Sequence, residues 1–221
     1  QGFDSKVWQV QEAGRNTLVL TLHSADGEEN YPGNLEVVAT YTVVEETLHL
    51  RLEAYADAAT IVNLTNHAYW NLSGKPTIDS MTLEVRASAY TPVDATNIPD
   101  GRILPVEGTD FDLRKAALLG ERNSAAHPDT AAGLDHNYVL DSEPGDKIAA
   151  ILLDPESRHR LIVATDAPGL QAYTGDYLPQ ARQGIALEAQ GFPNAVNTPH
   201  FPSVILRPGQ SSTRSITWTV R

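Results

Sequence analysis

The strongest constraint on this chain is an apolar alternation of period two that recurs along its length and is broken at short intervals by turn formers. Leu18, Leu20 and Leu22 share one side of the stretch from Thr17 to Leu22, and Leu48, Leu50, Leu52 and Ala54 alternate with His49, Arg51 and Glu53. Leu35, Val37, Ala39, Tyr41 and Val43 stand opposite Thr40 and Thr42; Met81, Leu83 and Val85, then Ile216, Trp218 and Val220, repeat the pattern. Successive side chains of a strand point to opposite faces of its sheet, so each run predicts a strand with one buried face. Ile148–Leu153 and Leu161–Ala164 are apolar on both sides and predict strands in a sandwich core. Asp26-Gly27, Pro32-Gly33, Pro99-Asp100-Gly101, Glu143-Pro144-Gly145 and Arg207-Pro208-Gly209 supply the turns between runs. Leu113 to Gly120 offers one or two helical turns ended by Gly120, too little to shape the fold. The pattern predicts one all-β domain over residues 1–221, an antiparallel sandwich or barrel, with residues 99 to 133 as an irregular excursion over one edge.

Composition removes several classes of function. Sixteen basic residues against 28 acidic ones give a net charge of −12, and the basic residues occur singly or in short groups such as Arg158-His159-Arg160. Nucleic-acid binding relies on clustered Lys and Arg, so no nucleic-acid partner is expected. No apolar run approaches the roughly 18 residues needed to span a bilayer, so no membrane partner is expected either. The absence of cysteine excludes disulfides, thiolate nucleophiles and cysteine-based metal sites, and the histidines show no HxH or HExxH spacing, so no metal site is expected.

Three short stretches carry the candidate chemistry. In the run from Thr60 to Leu72, alternation places Asn63, Thr65, His67 and Tyr69 on one face and Val62 and Leu64 on the other. A strand face bearing amide, hydroxyl, imidazole and phenol suits a polyhydroxylated ligand, and the adjacent Tyr69 and Trp70 favour that reading over an exposed polar face. In Gly184–Pro193, Ala186, Glu188 and Gln190 share a face opposite Ile185, Leu187 and Ala189. A carboxylate in an otherwise uncharged run is costly to bury unless paired or catalytic, although taken by itself the run favours an exposed acidic residue on a strand. Gly133-Leu134-Asp135-His136-Asn137-Tyr138 reads as a glycine turn entering a strand, where Asp135 could serve a ligand or an Asx turn. Spacing alone stops at a β-sandwich with polar patches of a kind that could face a sugar.

More specific are Gly2-Phe3-Asp4-Ser5-Lys6-Val7-Trp8, Asp26 to Leu35, Asn63-Leu64-Thr65-Asn66-His67-Ala68-Tyr69-Trp70-Asn71-Leu72 and Tyr90-Thr91-Pro92-Val93-Asp94. Gly133-Leu134-Asp135-His136-Asn137, Leu170-Gln171-Ala172-Tyr173-Thr174-Gly175, Leu187-Glu188-Ala189-Gln190-Gly191-Phe192-Pro193-Asn194-Ala195 and Leu206-Arg207-Pro208-Gly209 follow in order. Together these motifs resemble the aldose 1-epimerase (galactose mutarotase) family. The resemblance implies a galactose-mutarotase-like antiparallel β-sandwich, or supersandwich, and an isomerase that interconverts the α and β anomers of free aldohexoses such as galactose and glucose. It implies no cofactor. By position His67 matches the general acid and Glu188 the general base, while Asp135, Asn66, Tyr69 and Gln190 fall at substrate-binding positions. Asp135 beside His67 would favour the imidazolium that such an acid needs.

The resemblance also carries a departure. The family has an N-terminal segment ahead of the Gly-Phe-Asp motif that adds early strands, an arginine and a second histidine to the pocket, and this sequence has no counterpart to it. Residues 1–221 are thus expected to form roughly the C-terminal two thirds of the family domain, with the complement supplied elsewhere, a separate chain among the options. Two alternatives accompany the enzyme reading: a catalytically inactive sugar-binding member, and a hexose-6-phosphate epimerase, which would need an arginine-rich phosphate pocket. Cytoplasmic sugar metabolism is the expected setting.

Overall fold

The computed structural model describes residues 2–122, 133–141 and 145–221. Its strands, in chain order, are β1 (Gln9–Ala13), β2 (Thr17–Ser24), β3 (Leu35–Val44), β4 (Thr47–Ala56), β5 (Thr60–Ile61), β6 (Tyr69–Trp70), β7 (Thr82–Val85), β8 (Ala87–Thr91) and β9 (Leu104–Pro105). They continue as β10 (Ala117–Leu118), β11 (Asp135–Leu140), β12 (Lys147–Leu153), β13 (Arg160–Thr165), β14 (Gly169–Tyr173), β15 (Ile185–Gln190), β16 (Ile205–Leu206) and β17 (Ser211–Val220). Among the described residues they form a nine-stranded sheet ordered β1-β2-β3-β4-β17-β13-β12-β7-β10, a six-stranded sheet ordered β6-β15-β14-β11-β8-β9, and a β16-β5 pair. Every ladder between them is antiparallel, as the alternating sequence pattern predicts.

Alternation becomes packing directly on the large sheet. Leu50, Leu52 and Ala54 of β4 are buried while His49 and Arg51 face outward, and Leu35, Val37 and Ala39 of β3 point the same way as their β4 partners. Leu83, Leu152, Leu161, Val163 and Trp218 from the large sheet share one core with Tyr90, Tyr138, Leu170, Leu187 and Ala189 from the small one. The two sheets therefore pack face to face as a sandwich. Burying such aliphatic side chains contributes roughly 1.5–3 kcal/mol each.

Two sequence expectations change. β12 and β13 do not bury both faces: Leu152, Leu161 and Val163 enter the core, whereas Ile148 is 46% exposed and the opposed pair Ile151 and Ile162 is half-buried on the outer surface. Leu113–Gly120 forms no α-helix. Ala117 and Leu118 pair with Leu83 and Thr82 of β7, the Leu119 amide donates to the Met81 carbonyl, and a 3₁₀ turn follows over Leu119–Arg122. Burial of Leu113 and Leu119 and a free sheet edge outweigh a weak local helical preference there. The Glu143-Pro144 turn signal, and residues 123–132 of the expected excursion, lie outside the described residues.

Candidate active site

The outward face of the small sheet carries the polar residues. Along β15, Ile185, Leu187 and Ala189 enter the core, which turns Ala186, Glu188 and Gln190 to the other side. On β14, Leu170 and Ala172 go inward and Gln171 and Tyr173 outward; on β11, Tyr138 and Leu140 go inward and Asp135 and Asn137 outward. The register arranges these in two rows across the strands. One row is Asn137, Gln171 and Glu188; the other is Asp135, Tyr173, Ala186 and Tyr69. Ala186 is the small member of its row, so a floor with little side chain separates Tyr69 from Tyr173, whose rings lie 6.1 Å apart between centroids. Gln171 reaches from one row to the other, and its Nε2 donates to Asp135 Oδ1 at 2.7 Å.

His67 arrives from outside the ladder. The expected strand through the Asn63–Tyr69 run is not continuous: Thr60 and Ile61 pair with β16, Tyr69 and Trp70 pair with β15, and residues 62–68 between them have no strand assignment. Polar alternation in this stretch marks an extended segment rather than a laddered one. The Asn63 side chain replaces part of the missing ladder, donating from Nδ2 to the Gly191 carbonyl at 3.0 Å and accepting the Gly191 amide at 2.7 Å. Anchored at both ends against β15, the segment brings His67 Nε2 to 3.5 Å from Glu188 Oε1. The His67 ring stands 5.1 Å from that of Tyr69 and 6.4 Å from that of Tyr173, centroid to centroid.

Exposure divides the pair into distinct environments. The Glu188 side chain is 10% exposed and that of His67 is 52% exposed. Burial pushes the Glu188 carboxyl up to about 7, with the Asp135 charge adding to the rise and His67 opposing it. Burial likewise raises Asp135; the Gln171 hydrogen bond and His67 pull it back, and Asp176 pushes it further up. The Tyr69 and Tyr173 phenols are also raised, by burial first. A buried carboxylate that changes charge near neutral pH, touching an imidazole, has the makings of a base and acid acting on one bound molecule. A polar floor walled by tyrosines suits a ligand with both hydroxyl and C–H faces.

Of the residues singled out from the sequence, the structure brings His67, Glu188, Asp135 and Tyr69 together. Gln190 lies two residues beyond Glu188 on the same face, buried and opposite Gly169. Asn66 Oδ1 accepts the Ala68 amide at 3.1 Å, and the residue lines an adjoining groove of about 280 Å³ with Phe3, Trp8, Leu64 and His67. Gln171 and Tyr173 fall within a motif of the resemblance but carry no site role there, although the alternation of Leu170 and Ala172 with Gln171 and Tyr173 is legible in the sequence.

Comparison with known proteins adds an independent line. The family model described as aldose 1-epimerase matches residues 2–219. Galactose mutarotase of Sus scrofa is 40% identical over all of this chain and 67% of its own length, and that of Rattus norvegicus is 41% identical over 99% and 66%. The crystal structure of galactose 1-epimerase from Lactobacillus acidophilus superposes with a TM-score of 0.87 at 33% identity, covering 99% of this chain and 67% of that one. An aldose epimerase homologue from C. elegans gives 0.88 at 27% identity, covering 97% and 68%. The chain thus spans about two thirds of the length of these relatives. In each of them the matched region belongs to one longer chain, so the comparisons give no support to a complement supplied as a separate chain.

Proposed function

The chain belongs to the aldose 1-epimerase family, and on that premise we propose that it forms one mutarotase-like unit whose His67–Glu188 pair interconverts the anomers of a free aldohexose. The observation that carries this reading is the 3.5 Å contact between a buried carboxyl and an imidazole on a face that also offers Asp135, Gln171 and two tyrosines.

Mutarotation needs a proton removed from the C1 hydroxyl and a proton delivered to the ring oxygen. Both oxygens are bonded to C1, so the base and the acid must sit side by side, as Glu188 and His67 do. Glu188 as carboxylate takes the hydroxyl proton, the C1–O5 electron pair moves to O5, and the His67 imidazolium protonates O5, leaving an open-chain aldehyde. Rotation about C1–C2 turns the other carbonyl face toward O5. Closure then reverses the roles: His67 removes the O5 proton, O5 attacks C1, and Glu188 returns a proton to the new C1 hydroxyl. Asp135 and Gln171 accept and donate hydrogen bonds to sugar hydroxyls, and Tyr69 and Tyr173 cover C–H surface. Galactose is the first substrate to test, since the relatives from Sus scrofa, Rattus norvegicus and Lactobacillus acidophilus carry it in their names, with glucose beside it and cytoplasmic sugar metabolism as the setting.

Anomer exchange read by polarimetry on freshly dissolved α-galactose and α-glucose tests the proposal. The chain is expected to hasten the approach to the equilibrium rotation in proportion to its concentration. A rate equal to that of buffer with both sugars, for a folded sample, contradicts it.

A further inference from the structure

Arg182 is 6% exposed, although the acid–base reading gives it no task. It lies in the loop between β14 and β15 with φ +61°, a conformation that non-glycine residues hold only when their surroundings fix them. Its Nε donates to Asp79 Oδ1 at 2.6 Å, its Nη2 to the Leu119 carbonyl at 2.9 Å, and its Nη1 meets Asp176 Oδ1 at 3.4 Å. Its amide donates to the Gly175 carbonyl and its carbonyl accepts the Ile78 amide. One buried cation therefore pins the loop after Tyr173 to the segments on either side of β7 and β10.

The network continues toward the sugar face. Asp176 Oδ2 accepts the Thr174 hydroxyl, and Thr174 Oγ1 accepts the Leu134 amide at 2.9 Å, while the Thr174 amide donates back to the Leu134 carbonyl. Leu134 is the residue immediately before Asp135. The turn that allows this is closed around Gly133, φ +84°, where a Cβ would lie 2.2 Å from Asp176 Oδ2 and 2.3 Å from Thr174 Oγ1. In the same loop the Tyr177 amide donates to the Tyr173 hydroxyl.

We propose that Arg182 is a positioning residue for sugar binding, acting through Asp176 and Thr174 to hold Asp135 and Tyr173 in place. The inference rests on the acid–base reading of the site. Its geometry is a buried charge chain of Arg182, Asp176, Thr174 and Leu134 that ends beside a substrate-facing carboxylate, and buried charges of this kind hold their neighbours only while paired. Asp135 faces His67, Glu188 and Asp176, with the Tyr69 and Tyr173 phenols alongside. Removing Arg182 leaves the Asp176 charge to act on Asp135 unopposed, so ionisation at the site should become harder. Removing the Asp176 charge should make it easier.

Steady-state anomer exchange with galactose, measured from pH 5 to 9, tests this on Arg182→Met, Arg182→Lys and Asp176→Asn. Arg182→Met is expected to raise KM about tenfold with a smaller change in kcat and to move the acid limb of kcat/KM to higher pH, as loss of ground-state positioning should. Arg182→Lys should recover most of the KM, and Asp176→Asn should move the acid limb the opposite way. An unchanged acid limb in both Arg182→Met and Asp176→Asn overturns the proposal, as does an equal loss in the Met and Lys variants. If Arg182→Met does not fold, the isosteric Asp176→Asn decides by the direction of its shift. Should the wild-type chain show no exchange at all, the functional reading fails, and carbon-13 NMR titration of the Asp135 carboxyl in the same variants still decides the positioning role.

Discussion

Glu188→Ala is expected to lose about a hundredfold or more of the anomer-exchange rate, the scale associated with removing a general base. The reason lies in what Glu188 touches. On the proposed mechanism its carboxylate reacts with the C1 hydroxyl proton only as the ring opens, whereas Asp135, Gln171 and the tyrosines would bind the sugar throughout. The loss should therefore fall on kcat, with KM changed little. Glu188→Gln should behave the same way, because an amide keeps the shape and accepts no proton. His67→Ala should fall by a similar factor, and the double variant should be far from additive, since both groups serve the same ring-opening step. The wild-type rate should decline as pH drops through about 7, where Glu188 becomes protonated. Polarimetry on galactose across the series reads each of these; a Glu188→Ala variant near the wild-type rate removes the acid–base account.

The second large effect is on stability, and it runs opposite to activity. Burial raises the folded-state value of Glu188 from an ordinary 4.5 to about 7, so between those values the folded chain holds a proton that the unfolded chain has released. Stability on this account declines as pH rises through that window, and the full penalty is present above it. The gap corresponds to on the order of 3 kcal/mol. Glu188→Gln carries no charge to desolvate, so it should melt well above wild type at pH 8 and much closer to it at pH 5. Paired thermal unfolding at the two pH values checks this. The same offset at both would show that the carboxylate is not strained by its burial.

Much of this is legible in the sequence. The β4 alternation of Leu48, Leu50, Leu52 and Ala54 maps onto a buried face because period two has one geometric meaning when a sheet has a core on one side. Glu188 stood out because a charge inside the run from Ile185 to Gln190 needs a reason, and the whole strand is indeed buried. What escaped the sequence depends on partners distant in the chain. Residues 62–68 show strand periodicity yet lack a ladder, since the side chain of Asn63 rather than a run of backbone bonds ties the segment to Gly191. Leu113–Gly120 looked locally helical, but β7 offers Ala117 and Leu118 a strand to pair with. Arg182 gives no local signal at all, because its meaning comes from Asp79, Leu119 and Asp176, which meet only in the folded chain.

The most direct test of the central claim is a crystal structure of the chain with bound galactose. The acid–base account predicts Glu188 within hydrogen-bond reach of the anomeric hydroxyl and His67 within reach of the ring oxygen, on the face carrying Asp135 and Gln171. A sugar seated on that face with its C1 end turned away from both groups, or bound elsewhere on the chain, would contradict it.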